Sequence, residues 1–370
     1  MKSSETRKIA LFHEEVAFFT AYGLADRSGQ TDWVLDYEKP DWVIFSPLFG
    51  FESIYDRYEQ KDNSSNKLFI SGENFYRRVG PGQHGESVVL TLLWMIYFRS
   101  KFLSPFFLFL LRGLLRHHYL FPHGFWYKRT YRRNRFAQLS SYVKNIPKNT
   151  WMILTNANIF QHPRVFSMPY IFPVKRQMAL EKPKLWQNLS SLSPEAALSR
   201  KFCCLIISNY TSLPRWICFE RLSSYKRVDC MGRTPLSNVS KIRLPRRWMD
   251  LTDIYRQYKF VITMENTEAE DYITEKLLLG LAADTIPLYF GACNVSDYFN
   301  PDRFLSYDQE GRSWKRLIER VKFLDTHDDE YLSMLYKPKQ SPTQQEAERN
   351  KWKDYVRFLE KIPFPEKKAS

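Results

Sequence analysis

The chain has 370 residues, 44% of them hydrophobic and 26% charged, with a formal charge of +15. These proportions belong to folded globular protein and exclude a disordered chain, and the length suffices for two domains with separate cores. The charge is local, because residues 76–150 hold thirteen Lys and Arg against one acid, Glu86. Five cysteines (Cys203, Cys204, Cys218, Cys230, Cys293), an odd number with no C-x-x-C pair, suggest no zinc or redox motif and fit a reducing compartment. Five N-x-S/T triplets occur, at Asn63, Asn188, Asn209, Asn238 and Asn294, but their glycosylation would require export. The N-terminal residues carry neither a recognisable signal peptide nor an anchor, so a cytoplasmic location is expected.

In chain order, apolar runs at residues 9–12, 41–47 and 67–72 read as buried strands, with a turn at Asn74. Residues 151–155 and 165–172 read as extended, and 176–200, rich in Ser, Pro, Leu and Lys, as a connection between domains. The second half is more regular. A strand at 202–208 leads to a helix at 215–225 with Trp216, Phe219 and Leu222 on one face. A helix at 250–258 feeds a strand at 260–264, then come a helix at 272–283, a strand at 285–290 and an amphipathic helix at 313–326. This alternation predicts a doubly wound α/β fold with parallel sheets, whose ligands sit beyond the carboxyl ends of the strands. The polar tail carries one amphipathic stretch through Trp352, Tyr355, Phe358 and Leu359. The expected division is 1–180, with an insertion at about 77–149, then 195–340, then a charged helix or tail over 341–370.

The chemistry concentrates in Tyr258-Lys-Phe-Val-Ile-Thr-Met-Glu-Asn266, Asp271-Tyr-Ile-Thr-Glu-Lys-Leu277 and Thr285-Ile-Pro-Leu-Tyr-Phe-Gly291. A buried strand ends in Glu265 and Asn266, a short polar loop follows, and a helix begins near Asp271 with Thr274, Glu275 and Lys276 in its first turn. Free backbone N–H groups and the positive end of the helix dipole suit a phosphate there, and Lys276 adds a full charge. Glu275 is unexpected for a pure phosphate binder and fits a hydroxyl or a cationic sugar. Composition alone also allows Glu275 and Lys276 to be solvated surface charges.

These three stretches resemble the donor-binding signature of the α1,3/4-fucosyltransferase family, with Met264 where that family usually has Phe. Phe202 to Asn209, including Ser208, followed by Arg215, is similar to a bacterial strand of that family. Phe69-Ile-Ser-Gly-Glu-Asn74 is similar to its G-E-N turn. The resemblance implies a GT-B arrangement, two Rossmann-like domains facing across a cleft, the first binding the glycan acceptor and the second GDP-fucose. It implies inverting transfer of L-fucose from GDP-fucose to an N-acetylglucosamine-containing glycan, in α1,3 or α1,4 linkage, with a role in cell-surface polysaccharide synthesis. Glu73 matches the proposed base, and Glu275 a group that holds the donor or the cationic transition state. Arg215 and Lys276 match the pair that neutralises the diphosphate. Glu265, Asn266, Tyr272, Thr274, Ser208 and Asn209 complete the expected donor contacts. No D-x-D triplet occurs, and two cations with a helix terminus can replace a metal electrostatically, so no divalent metal is expected to be required.

The segment after Glu73 departs from the resemblance. Apolar runs at 88–98 and 102–111 are separated by Arg99 and Lys101 and are each too short to span a bilayer. With the basic run at 127–135 they suit either an element lying on an anionic membrane surface, through residues 88–135, or a packed helical insertion. Arginines between aromatics at 127–135 would also suit RNA, but no RNA-binding signature accompanies them, so no nucleic-acid partner is expected.

Overall fold

In the computed structural model, the described residues are 7–12, 22, 33–35, 42–45, 66–71, 146, 148–155 and, with short omissions at 156–160, 187–191, 208–211, 233, 235–236, 240–241 and 267, 161–362. They fall into two compact units.

The first unit contains a six-stranded, wholly parallel sheet of order β2-β1-β3-β4-β5-β6. Its strands are β1 (Arg7–Phe12), β2 (Trp33–Leu35), β3 (Trp42–Phe45), β4 (Asn66–Ser71), β5 (Thr150–Leu154) and β6 (Val165–Ser167). Ile44, Leu68, Ile70, Met152 and Ile153 are fully buried, as continuous apolar runs in a parallel sheet require. The extended reading of 165–172 holds only as far as Ser167, because helix α1 (Ile171–Glu181) follows at once. The last helix of the chain, α8 (Pro342–Glu360), also belongs to this unit. Its Tyr355 and Phe358 are buried against Phe166, with ring centroids 5.4 and 5.2 Å apart, and Tyr355 Oη donates to the Tyr22 carbonyl at 3.0 Å. The amphipathic stretch read in the tail is therefore a packed helix, and Lys175 reaches Glu348 across the same contact.

The second unit holds a five-stranded parallel sheet of order β11-β10-β9-β7-β8. Its elements are α2 (Pro194–Leu198), β7 (Lys201–Ile206), α3 (Leu213–Ser223), β8 (Val228–Met231), α4 (Leu251–Tyr255), β9 (Tyr258–Ile262), α5 (Glu275–Ala282), β10 (Ile286–Tyr289), β11 (Leu305–Ser306), α6 (Trp314–Thr326) and α7 (Asp328–Leu335). Residues 176–200 are thus no plain connection. Part of α1 and the whole of α2 lie there, α2 capped by Ser193, whose side chain accepts from Ala196 N–H at 3.2 Å.

Trp216, Phe219 and Leu222 of α3 are fully buried, as their spacing predicts, and pack with Phe260, Leu317 and Val321. Each buried side chain of this kind contributes about 1.5–3 kcal/mol. β9 is buried at all five positions, and it starts two residues earlier than the apolar run suggests because Tyr258 and Lys259 are covered as well. Gly232 ends β8 with φ +111°, and any Cβ there would lie 2.0 Å from the Ile207 carbonyl oxygen.

Candidate functional site

β9 and β10 run side by side, and their pairing continues past the strand ends: Thr263 N–H donates to Leu288 O at 2.9 Å and Glu265 N–H to Phe290 O at 2.7 Å. Glu265 therefore leaves the carboxyl edge of the sheet in a fixed direction. Gly291 lies beside it, and a Cβ there would lie 2.7 Å from Glu265 Cγ and 2.4 Å from Tyr289 Oη, so only glycine lets the two strand ends approach.

The Glu265 carboxylate has no exposed surface and is met from one direction. Thr274 donates its backbone N–H to Oε1 at 2.8 Å, and its hydroxyl lies 2.9 Å from both oxygens. Lys276 Nζ stands 3.4 Å from Oε2. Thr274 is the cap of α5, with extended backbone, so the helix starts at Glu275 rather than at 272. The Lys276 ammonium also reaches the Thr274 hydroxyl at 2.9 Å and the Glu275 carboxylate at 3.0 Å. Lys276 keeps 27% of its side chain exposed and Glu275 31%, so both retain a face for a ligand.

Charge follows from this packing. Burial raises the Glu265 carboxyl above its ordinary range, although Lys276 and the Thr274 bonds pull the other way. Burial alone would lower Lys276, but Glu265 and Glu275 outweigh it and hold the ammonium above its usual value. For Glu275 burial is likewise outweighed, by Lys276, and the carboxyl titrates low. The first turn of the helix thus carries an ionic pair near neutral pH, with the Lys276 ammonium at its start.

Arg215, the third residue of α3, does not lie at a surface. It is 2% exposed, and its Nε and Nη2 donate to the Met264 carbonyl at 2.9 and 2.7 Å. Glu265 and Glu275 pull its guanidinium up while burial, the larger influence, lowers it. The structure thus brings Arg215, Glu265, Thr274, Glu275 and Lys276 together around one strand end. Tyr272 is buried in the intervening loop, and the Asn266 amide oxygen is buried with no hydrogen-bond partner among the described residues. Ser208, Asn209 and Glu73 lie outside the described residues, as does nearly all of the 77–149 insertion.

Sequence reading missed the residues that anchor the loop. Glu268, 4% exposed, is gripped by Arg312 through two parallel bonds of 3.0 and 2.9 Å. Asp271 is held by Asn294 and Tyr298. The partners are 44, 23 and 27 residues apart, so no local pattern marks them, and Asn294 shows in the sequence only as part of an Asn-Val-Ser triplet.

The fold matches a crystal structure of an alpha1,3-fucosyltransferase with GDP-fucose, with a TM-score of 0.55 and 18% identity, covering 100% of this chain and 95% of that one. That likeness is one of fold: an α/β chain with two parallel sheets. Residues 197–362 match the family model described as glycosyltransferase family 10 (fucosyltransferase) C-term. The chain is 30% identical over 139 residues to the alpha-(1,3)-fucosyltransferase FucT of Helicobacter pylori, across 38% of this chain and 28% of that protein. It is 29% identical over 204 residues to GDP-fucose protein O-fucosyltransferase 3 of Xenopus laevis, across 51% of this chain and 43% of that one. The chain spans less than half the length of these curated relatives. The resemblance read from residues 201–310 is borne out.

Proposed function

We propose that the protein is an inverting fucosyltransferase that moves L-fucose from GDP-fucose to a hydroxyl of an N-acetylglucosamine-containing glycan, in α1,3 or α1,4 linkage, in cell-surface polysaccharide synthesis. The observation that carries this reading is the Glu265–Thr274–Lys276 cluster at the start of α5, inside the family domain. The acceptor oxygen attacks the anomeric carbon, its proton passes to a carboxylate, and the bond to the β-phosphate breaks with both electrons going to GDP. Lys276 and the first N–H groups of α5 stabilise the departing diphosphate, with Arg215 supporting them from below, and no divalent metal is required. Glu275 holds the donor beside the developing cation. The unpartnered Asn266 oxygen accepts from a donor hydroxyl or N–H. Glu73 is the base.

Incubation with GDP-fucose, GDP-mannose and UDP-sugars against acceptors beginning with N-acetyllactosamine tests this. Fucosylated product from GDP-fucose supports it, and turnover of another nucleotide sugar alone defeats it. The relationship to protein O-fucosyltransferase 3 favours a second reading, in which a Ser or Thr hydroxyl of a polypeptide is the acceptor. Peptides in the same panel separate the two.

A cytoplasmic enzyme held at an anionic membrane face through residues 88–135 would meet lipid-linked acceptors. Among the described residues no helix is long and apolar enough to cross a membrane. Replacing Arg129, Arg132, Arg133 and Arg135 by Ser should weaken binding to anionic vesicles, and equal binding to neutral vesicles would count against the electrostatic part.

A further inference from the structure

Asp271 adopts φ +61°, a left-handed conformation that residues with a Cβ avoid unless something holds them there. It lies three residues before the Thr274 cap, so its reversal decides where the chain enters α5. Two residues from the neighbouring strand end hold it. Asn294 accepts from the Asp271 N–H at 2.9 Å and donates its own amide N–H to Asp271 Oδ1 at 2.8 Å, while Tyr298 Oη donates to that same oxygen. Asp271 is 2% exposed, so its carboxylate is buried among these donors.

Asn294 occupies the cap position of the short 3-10 turn Val295–Asp297, where an Asn side chain would ordinarily bond the turn's own N–H groups. Here its side chain makes no such bond, and both halves of the amide are turned to Asp271. The turn lies in the loop that leaves β10, a few residues past Gly291, so the clamp ties the loop leaving β9 to the loop leaving β10.

We infer that Asn294 and Tyr298 are positioning residues of the nucleotide-binding loop: by fixing Asp271 in its left-handed conformation they deliver Thr274 to Glu265 and set Lys276 at the helix start. The inference rests on the donor-site reading above. It also makes the Asn-Val-Ser triplet at Asn294 incompatible with glycosylation, since a sugar on Nδ2 would displace Asp271.

The test uses the full chain and GDP as the probe, by calorimetric titration and with KM and kcat for GDP-fucose. N294A should weaken GDP binding by about tenfold, the effect of losing a pair of buried hydrogen bonds, and Y298F by less. KM should rise more than kcat falls. Glycine adopts the left-handed conformation without help, so adding D271G to N294A should recover much of the GDP affinity. It cannot replace the lost hydrogen bonds, so the Tm should stay low. That separation of affinity from Tm is the signature of positioning. GDP binding by folded N294A and Y298F at wild-type strength overturns the inference, as does affinity that stays low in the double variant. Should N294A not fold, Y298F and D271G alone carry the comparison. Failure of the wild-type chain to bind GDP would overturn the donor-site reading, and the inference with it, a result distinct from the others.

Discussion

The Lys276 ammonium stands 3.4 Å from a Glu265 carboxylate that has no exposed surface, with the Thr274 hydroxyl between them. The lysine therefore has two duties, balancing a buried charge and facing the ligand. Lys276→Ala should lower turnover about 10²–10³-fold, as losing one oriented group at a developing anion does. It should also lower stability by about 1–3 kcal/mol, since Glu265 loses its cation. Adding Glu265→Gln removes the stranded charge. Tm should then recover while turnover stays low, and joint recovery would make Lys276 purely structural.

Arg215 invites a different expectation from a surface cation. Its two bonds to the Met264 carbonyl hold the last residue before Glu265, so Arg215→Ala should cost about 1.5–3 kcal/mol of stability besides activity. Arg215→Lys keeps the charge but not the two-pronged bond, and should fall between. Denaturant titration alongside kinetics checks this, and a variant with unchanged stability would contradict the buried geometry.

The ionic helix start sets a pH dependence. Glu275 titrates below its ordinary value of 4.5, so its contribution to stability is present above that pH and lost as pH falls through the folded value. Glu275→Gln should be less stable than wild type at pH 7, with the gap closing below about pH 4.5. Lys276 titrates above 10.5, so its contribution is present below that pH and lost only as pH rises through the higher folded value. The gap to Lys276→Ala should therefore persist up to about pH 10. Tm against pH reads both, and a Lys276 gap that closes below pH 9 would contradict the pairing.

Much of this site was legible because its signals are local. The apolar run ending in Glu265-Asn266 and the Thr-Glu-Lys of α5 lie within nineteen residues of Tyr258, and strand burial and helix polarity follow from short-range pattern. The exact start of α5 was not legible, because the helix begins only after Asp271 turns left-handed, and that turn depends on Asn294 and Tyr298. Burial of Arg215 was equally hidden, since an arginine after Pro214 looks like a solvated helix start until the Met264 carbonyl meets it. The helix α8 was read only as an amphipathic stretch, because what covers Tyr355 and Phe358 includes Phe166, nearly two hundred residues earlier.

Glu73 rests on its sequence context alone, and its role is testable without structure. Glu73→Gln keeps size and hydrogen bonding but accepts no proton at neutral pH. Transfer should fall about 10²-fold or more, with GDP affinity nearly unchanged. Loss of GDP affinity with transfer per bound donor intact would make the residue structural.

The anomeric configuration of the product decides whether fucose moves by a single inverting displacement. With GDP-fucose and N-acetyllactosamine, proton NMR should show one fucose added per GDP released, its linkage inverted relative to the donor, and formed about 10²–10³-fold more slowly by the Lys276→Ala, Glu265→Gln double variant. Retained configuration would contradict a single displacement supported by a base. GDP-fucose left intact with every glycan and peptide acceptor would contradict the account as a whole.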